Sequence, residues 1–320
     1  MGKYILRRLI IAIPMVFAIS LVTFVVSNLA PGDPVSAMVD PSTMAGLPPD
    51  YFEKRLKELG LDKPMPVRFV IWLGQVAQGN LGYSYINGIP VIERIGIRVL
   101  PTLELAGTAL LIGTVVGTIL GVIAALRQYS LYDYVLTFLS LFGIAIPTFF
   151  FALVALYLFS YQIELFPAFG MTNADHGFSW IDNLYHLVMP ATILSIDLMA
   201  GTARYARTAM LEVLHSDYMK TARAKGLSEY VVINRHAFRN ALLPLITITS
   251  LRLPFLFGGA IIIEFMFAWP GMGRLAIRSI EARDYMTLMG LTLVVAVVVL
   301  ASNLLSDILY ALTDPRIRTG

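Results

Sequence analysis

"LAGTALLIGTVVGTILGVIAAL", residues 105–126, holds 22 consecutive residues without a charged side chain. As a helix rising about 1.5 Å per residue it is long enough to cross the roughly 30 Å hydrocarbon core of a bilayer. Within it Gly113, Gly117 and Gly121 recur every fourth residue and therefore share one face. Glycine at that spacing lets a second helix backbone approach closely, the main route by which helices associate in lipid. The stretch reads as a membrane span packed tightly on another helix, and it sets the class of the whole chain: all-α and polytopic. Pro101 and Glu104 just before it are the residues that a first helical turn prefers, so the helix is expected to open there.

Three more uncharged runs of span length follow the same rule: Leu9–Ala30, Tyr134–Ile163 and Tyr285–Ser306. Two others, Leu187–Ala203 and Ala241–Ile263, each carry one charge, Asp197 and Arg252. Six transmembrane helices are expected. The composition agrees, since 57% of the 320 residues are hydrophobic and only 14% charged, against about a quarter charged in soluble domains. Lys3, Arg7 and Arg8 ahead of the first run resemble a signal-peptide start, but the run is long for an h-region and "NLAPGDP" after it is a turn, so it is kept as a helix. The chain has no cysteine, which excludes disulfides and Cys-ligated zinc or iron–sulfur sites. A net charge of +3 is too small to imply nucleic acid.

Lys/Arg in short loops sets orientation. With the N-terminus inside, the cytoplasmic segments hold 13 basic residues, seven of them in the loop 204–240. Both termini are expected in the cytoplasm. The expected organisation is then an N-tail with the first helix (1–30), a small external subdomain (31–100) and a core membrane domain (101–320) that contains the loop 204–240. The external segment is balanced in charge, with seven acids and seven bases, and shows helical patterns at "PDYFEKRLKELG" and "PVRFVIWLGQVAQ" that Gly60 and Gly79 stop. It reads either as a solvated cap or as a surface for a partner.

The loop contains "YMKTARAKGLSEYVVINRHAFRNALLP", residues 218–244, with five bases against one acid. Ser216 is suited to cap a short helix ending at Lys225, and Gly226 supplies the left-handed stop. Lys220, Arg223 and Lys225 lie where the helix dipole favours cations. Ser228 is suited to cap a second helix that leads into the span beginning near Ala241. Any cytoplasmic loop is basic for topological reasons, but Ala222 and Ala224 beside the bases, on a helix expected to be exposed, point to something that packs closely there. These residues read as a docking knob for a soluble partner.

"YMKTARAKGL" with "RHAFRNALLP" resembles the cytoplasmic loop of permease subunits of bacterial ABC importers, in particular the B-type subunit of the dipeptide, oligopeptide and nickel-chelate group. The likeness extends to "YILRRLIIAIPMV", "PGDP", "PTLELAG", "IIIEFMFAWPGMGRLAIRSI", "RDY" and "LTDPRIR". The broader importer motif, EAA then Gly then I-x-L-P, is matched loosely: Gly226 fits, Thr221, Ala222 and Arg223 replace EAA, and Pro244 comes late. The resemblance implies that Asp217, Lys220, Thr221, Ala222, Arg223, Ala224, Lys225, Gly226 and Leu227 form a coupling helix seated on an ATP-binding subunit. It also implies a homologous C-type permease partner, two ATP-binding subunits and an extracytoplasmic substrate-binding protein, all at the bacterial cytoplasmic membrane. No G-x-x-x-x-G-K-[ST] loop occurs in the chain, so ATP would be bound elsewhere and this subunit would be non-catalytic and free of cofactor.

His176, His186, His215 and His236 lack metal-ligand spacing. Trp269, Pro270, Gly271 and Arg274 form a turn that reads as an external gate or receptor contact, mainly through the resemblance, or as an interfacial aromatic anchor. Asp197, Arg252 and Glu264 are the charges expected along a translocation pathway. Counting from opposite faces, Asp197 and Arg252 reach the same depth, near mid-membrane; each could face water, the two could pair, or Arg252 could hold a substrate carboxylate. Beside the importer permease stand a secondary transporter or channel working alone, and a membrane enzyme. The first would need relay carboxylates and repeated halves, and the second a nucleophile, base or metal cluster; the sequence shows one midplane acid, no convincing repeat and no such cluster.

Overall fold

The computed structural model describes residues 2–29, 48, 50–58, 60, 62–173 and 177–313. "PGDP" at 31–34 and the end of "LTDPRIR" lie outside them, as does His176. The described chain is helical throughout, with one isolated bridge between Tyr83 and Pro90. The elements are α1 (Gly2–Leu29), α2 (Tyr51–Glu58), α3 (Met65–Ala77), α4 (Val91–Leu126), α5 (Leu131–Ala145), α6 (Thr148–Ala155, continued by a π turn Leu156–Gln162) and α7 (Trp180–Leu214). After these come α8 (Asp217–Ala224), α9 (Glu229–Val231, continued by a π turn Val232–Phe238), α10 (Arg239–Met266), α11 (Met272–Glu281) and α12 (Tyr285–Thr313).

Among the described residues, four helices are long and apolar enough to cross a membrane (α1, α4, α7 and α12), or five if α5 and α6 form one span. The sixth expected span corresponds to α10, 28 residues long, in which the side chains of 253–259 lie outside the description. Two expectations are corrected. The helix through Gly113 does not open at Pro101 but at Val91, with Glu93 in its first turn and Pro101 inside. The run Tyr134–Ile163 is not one helix: α5 and α6 meet at 101°. Pro147 cannot donate a backbone N–H and disfavours helix at the residue before it, and Ile146 is extended at φ −91°, ψ 128°.

The chain divides into two compact units: residues 1–102 with 270–300, and 103–269 with 301–320. In the first, α1 and α3 pack through aromatic rings, Phe24 on Phe69 at 5.2 Å and Phe17 on Phe69 at 5.8 Å, beside buried Trp72 and Met289. The other side of α3 exposes Val67, Val70 and Ile71. With apolar residues on both sides, α3 lacks the polar face of a freely solvated cap helix. Gly60 and Gly79 stop α2 and α3 at φ +65° and +81°, as the sequence predicts.

In the second unit α7 is the central helix. The glycine face of α4 lies directly on it: a Cβ placed on Gly117 would come within 2.7 Å of the Met199 carbonyl oxygen and 2.9 Å of Thr202. One on Gly121 would collide with the Ala203 carbonyl and Ala206, and one on Gly113 with Leu198. The tight seam expected from the spacing is therefore a contact within the chain. Opposite it, Gly143 of α5 faces Ile196 and Ala200. A cluster of Leu105, Ala109, Leu187, Ile193, Ala260, Ile263, Phe267 and Trp269 closes the unit between α4, α7 and α10.

Candidate functional site

The loop 204–240 folds as a pair of short helices fixed to the ends of α7 and α10. Met219 and Ala222 point inward from α8 and are buried with Met210, Val232, Ala237 and Ala241. Ala222 is thus small because it packs on its own chain, not because it awaits a partner, which corrects the exposed placing expected for it. The opposite face of α8 is open: Asp217, Lys220, Thr221, Arg223, Ala224, Lys225, Gly226 and Leu227 are all exposed. The knob is anchored from below and presents a mostly basic top.

The helix ends here differ from expectation at both serines and follow it at Gly226. Ser216 does not cap α8 through its hydroxyl, which instead donates to the Val213 carbonyl at 2.5 Å, closing the end of α7. Its carbonyl accepts the Met219 N–H at 3.1 Å. Ser228 likewise makes no side-chain cap, and its carbonyl accepts from Val232. Gly226 does adopt the left-handed conformation, φ +76°, with its N–H donating to the Arg223 carbonyl at 2.9 Å. A side chain there would meet nothing within 4 Å, so the requirement for glycine is conformational rather than steric. The Arg223 guanidinium then reaches across the turn to Glu229, Nε to Oε1 at 2.7 Å, and ties α8 to the start of α9. Lys220 pairs locally with Asp217 at 2.9 Å.

The membrane end beneath the loop is held by a pair that the sequence did not reveal. Arg207 donates from Nε and Nη2 to the two oxygens of buried Asp133, at 2.5 and 2.8 Å. Asp133 also accepts the N–H of Tyr129, which sits at φ +62°, an unfavourable value for a side chain of that size. Asp133 and Arg207 are 74 residues apart, a spacing that carries no local signal.

Asp197 and Arg252 come together. Arg252 Nη1 lies 3.6 Å from Asp197 Oδ2, near the middle of α7 and α10. Glu264 and Trp269 are fully buried, so neither side chain presents a surface; Trp269 belongs to the packed cluster described above rather than to an interfacial anchor. In the other unit, the Arg98 guanidinium donates to the Pro270 carbonyl at 3.2 Å, and the Met272 N–H donates to the Thr102 hydroxyl at 2.8 Å. Gly271 precedes α11 in extended conformation. Burial first, then the neighbouring guanidiniums of Arg278 and Arg98, lower the pKa of Arg274. Arg274, in the first turn of α11, thus lies near two further arginines.

The same unit contains a buried polar cluster around Asp284. Its carboxylate accepts from Arg94 Nη1 and the Ser84 hydroxyl, both at 2.5 Å, from the Thr287 hydroxyl at 2.8 Å, and from the N–H groups of Tyr85 and Thr287 at 3.2 and 3.3 Å. Asp284 therefore caps α12 and pins the turn 82–91, whose ends meet through the Val91 N–H and the Gly82 carbonyl at 2.9 Å. Among the described residues no three His, Cys, Asp or Glu side chains sit together as metal ligands would.

Comparison with known proteins matches these features to a family. Residues 117–319 match the model of the binding-protein-dependent transport system inner membrane component, and residues 1–106 match that of its N-terminal part. The chain is 41% identical over 318 residues to the oligopeptide transport system permease protein AppB of Bacillus subtilis, covering 99% of both. It is 38% identical over 339 residues to the dipeptide transport system permease protein DppB of Escherichia coli K12, again covering 99% of both. Its fold is similar to a chain from inward-facing structures of the MetNI methionine ABC transporter, with a TM-score of 0.58 at 15% identity, over 70% of this chain and 97% of that one. The resemblance read from "YMKTARAKGL" and the motifs around it holds along the whole length, and the chain belongs to the family of binding-protein-dependent transport system inner membrane components.

Proposed function

We propose that this chain is the permease subunit of an ATP-driven importer of peptides or similar small solutes in the bacterial cytoplasmic membrane. It crosses the bilayer six times with both termini inside and forms half of the translocation pathway. A homologous C-type permease supplies the other half, two ATP-binding subunits lie inside, and a substrate-binding protein delivers solute from outside. The turn at 269–274 and the segment 31–100 face that binding protein. Peptide solutes are suggested by the names of the 38–41% identical relatives.

The observation that carries the reading is α8: a short helix with a buried Met219 and Ala222, an open basic top and a left-handed stop at Gly226. A helix anchored so firmly on the ends of two long helices transmits a push or a pull to them without bending. ATP hydrolysis in a partner chain reaches the pathway through Asp217–Leu227.

The test is co-purification. Tagged chain is expected to bring down an ATP-binding protein, and membranes containing the set to take up a tripeptide only with ATP. Scrambling residues 217–226 should abolish both while the chain still inserts. Uptake that proceeds without ATP, or an unaltered set of partners after scrambling, would reject the proposal and favour a transporter acting alone.

A further inference from the structure

Arg252 is the fourteenth of the 28 residues of α10, and Asp197 the eighteenth of the 35 residues of α7. The guanidinium of Arg252 lies flat against Gly201, one turn beyond Asp197: a Cβ on Gly201 would stand 2.5 Å from Nη2 and 2.8 Å from both Cζ and Nη1. A side chain at Gly201 would displace the guanidinium from this position. The nearest carboxylate oxygen, Asp197 Oδ2, is 3.6 Å from Nη1, beyond hydrogen-bond length and well outside the roughly 2.8 Å of a closed guanidinium–carboxylate fork. The cation thus rests beside Gly201 and near its countercharge, with the two not in hydrogen-bond contact.

The face on which they lie is not built for lipid. At one end of α7 the exposed side chains are Trp180, Ile181, Leu184, Tyr185 and Val188. From Met189 to Arg204 no large apolar side chain of α7 is exposed, and those that are open are Thr192, Asp197 and Arg204. Asp197 is 58% exposed and Arg252 29%. A carboxylate facing hydrocarbon at that depth costs at least about 2.5 kcal/mol, so this face meets water and what water carries.

We infer that Arg252, seated on Gly201, is a carboxylate-binding site in the solute pathway, with Asp197 as the tethered countercharge that neutralises it when no solute is present. The inference rests on the reading of the chain as a permease for peptides, whose C-terminal carboxylate matches the planar fork of an arginine. Asp197 lowers the cost of an unoccupied cation in the membrane, while its separation leaves donors available. A site weakened by its own countercharge also releases what it binds, as passage through a membrane requires.

The absence of native cysteine permits a direct test. Asp197→Cys is placed in the complete importer in proteoliposomes, and modification of this chain is followed by mass spectrometry. The reagents are anionic sulfonatoethyl and cationic trimethylammonioethyl methanethiosulfonate. The anionic reagent is expected to react about tenfold faster, relative to a free thiol, because a local potential of several kT concentrates it. Arg252→Gln should erase that preference, and trialanine should slow the anionic reagent where trialanine amide does not. If the Asp197→Cys importer fails to assemble, Thr192→Cys on the same open face carries the experiment. No labelling from water, a charge preference indifferent to Arg252, or equal protection by the amide would each overturn the inference. Labelling needs no ATP, so failure of the importer reading shows separately, as absence of ATP-dependent trialanine uptake.

Discussion

The carboxylate of Asp284 and the guanidinium of Arg94, 190 residues apart in the chain, meet at 2.5 Å with the acid almost wholly shielded from solvent. Removing one member of such a pair leaves an uncompensated buried charge, which costs about 3–5 kcal/mol. Asp284→Ala is therefore expected to lower the melting temperature of the purified chain and open the turn 82–91 to protease. Arg94→Met with Asp284→Leu should be less damaging than the sum of the single changes. Additive losses would show that the two side chains are not coupled.

Two glycines of α4 separate packing from helix propensity. A Cβ on Gly121 runs into the backbone of α7, whereas one on Gly107 meets nothing within 4 Å. Gly121→Ala should destabilise the protein by about 1–3 kcal/mol, as overpacking does. Gly107→Ala should be neutral or stabilising by up to about 1 kcal/mol. Melting curves in detergent distinguish them, and equal effects at both sites would contradict the seam.

At Gly226 the prediction is conformational. Gly226→Val forces a β-branched residue to φ +76° and is expected to reduce substrate-stimulated ATP hydrolysis while leaving insertion intact. Gly226→Asn, which tolerates the left-handed region, should keep most of the activity. Because no atom lies within 4 Å of the missing side chain, a loss that scaled with side-chain volume instead would point to a docked partner there.

Tyr85 carries a pH dependence. Burial is the largest cause raising its pKa, with the Asp284 carboxylate adding and Arg68 opposing, and the hydroxyl is pushed up to about 12. The folded state then holds a proton that the unfolded chain releases near pH 10. Its contribution to stability is complete below about pH 10 and is lost as pH rises toward 12. Tyr85→Phe should flatten the fall in melting temperature between those values, and phenolate absorbance should show one fewer late-titrating tyrosine.

Much of this architecture is written in local spacing. The uncharged run 105–126, the four-residue recurrence of Gly113, Gly117 and Gly121, and the stop at Gly226 each depend on neighbours a few residues away, and each is present in the fold. The common depth of Asp197 and Arg252 follows from counting along two helices, and they lie 3.6 Å apart. Contacts across long separations leave no such trace. Asp133 with Arg207 and Asp284 with Arg94 look in sequence like isolated charges near helix ends. The bend at Pro147 was hidden by uniform hydrophobicity, which continues unchanged through the break, and the start of α4 was masked by a proline that is equally at home in a first turn or in an interior kink. Ser216 has cap chemistry, but its hydroxyl is drawn to the carbonyl of Val213, which needed a donor at the end of α7.

The glycine seam between α4 and α7 bears on how the protein is made. Of the four candidate spans, α7 has the largest share of its apolar window inside the protein, 61% against 11–33% for the others, and it carries Asp197 at its centre. A segment of that kind partitions poorly into lipid by itself. Its receiving surface, the bare face of Gly113, Gly117 and Gly121, belongs to a helix that leaves the ribosome more than fifty residues earlier. Synthesis in this order delivers the groove before the helix that needs it, so α7 can enter the bilayer against protein rather than against hydrocarbon, and a circularly permuted chain that makes α7 first would lose this advantage.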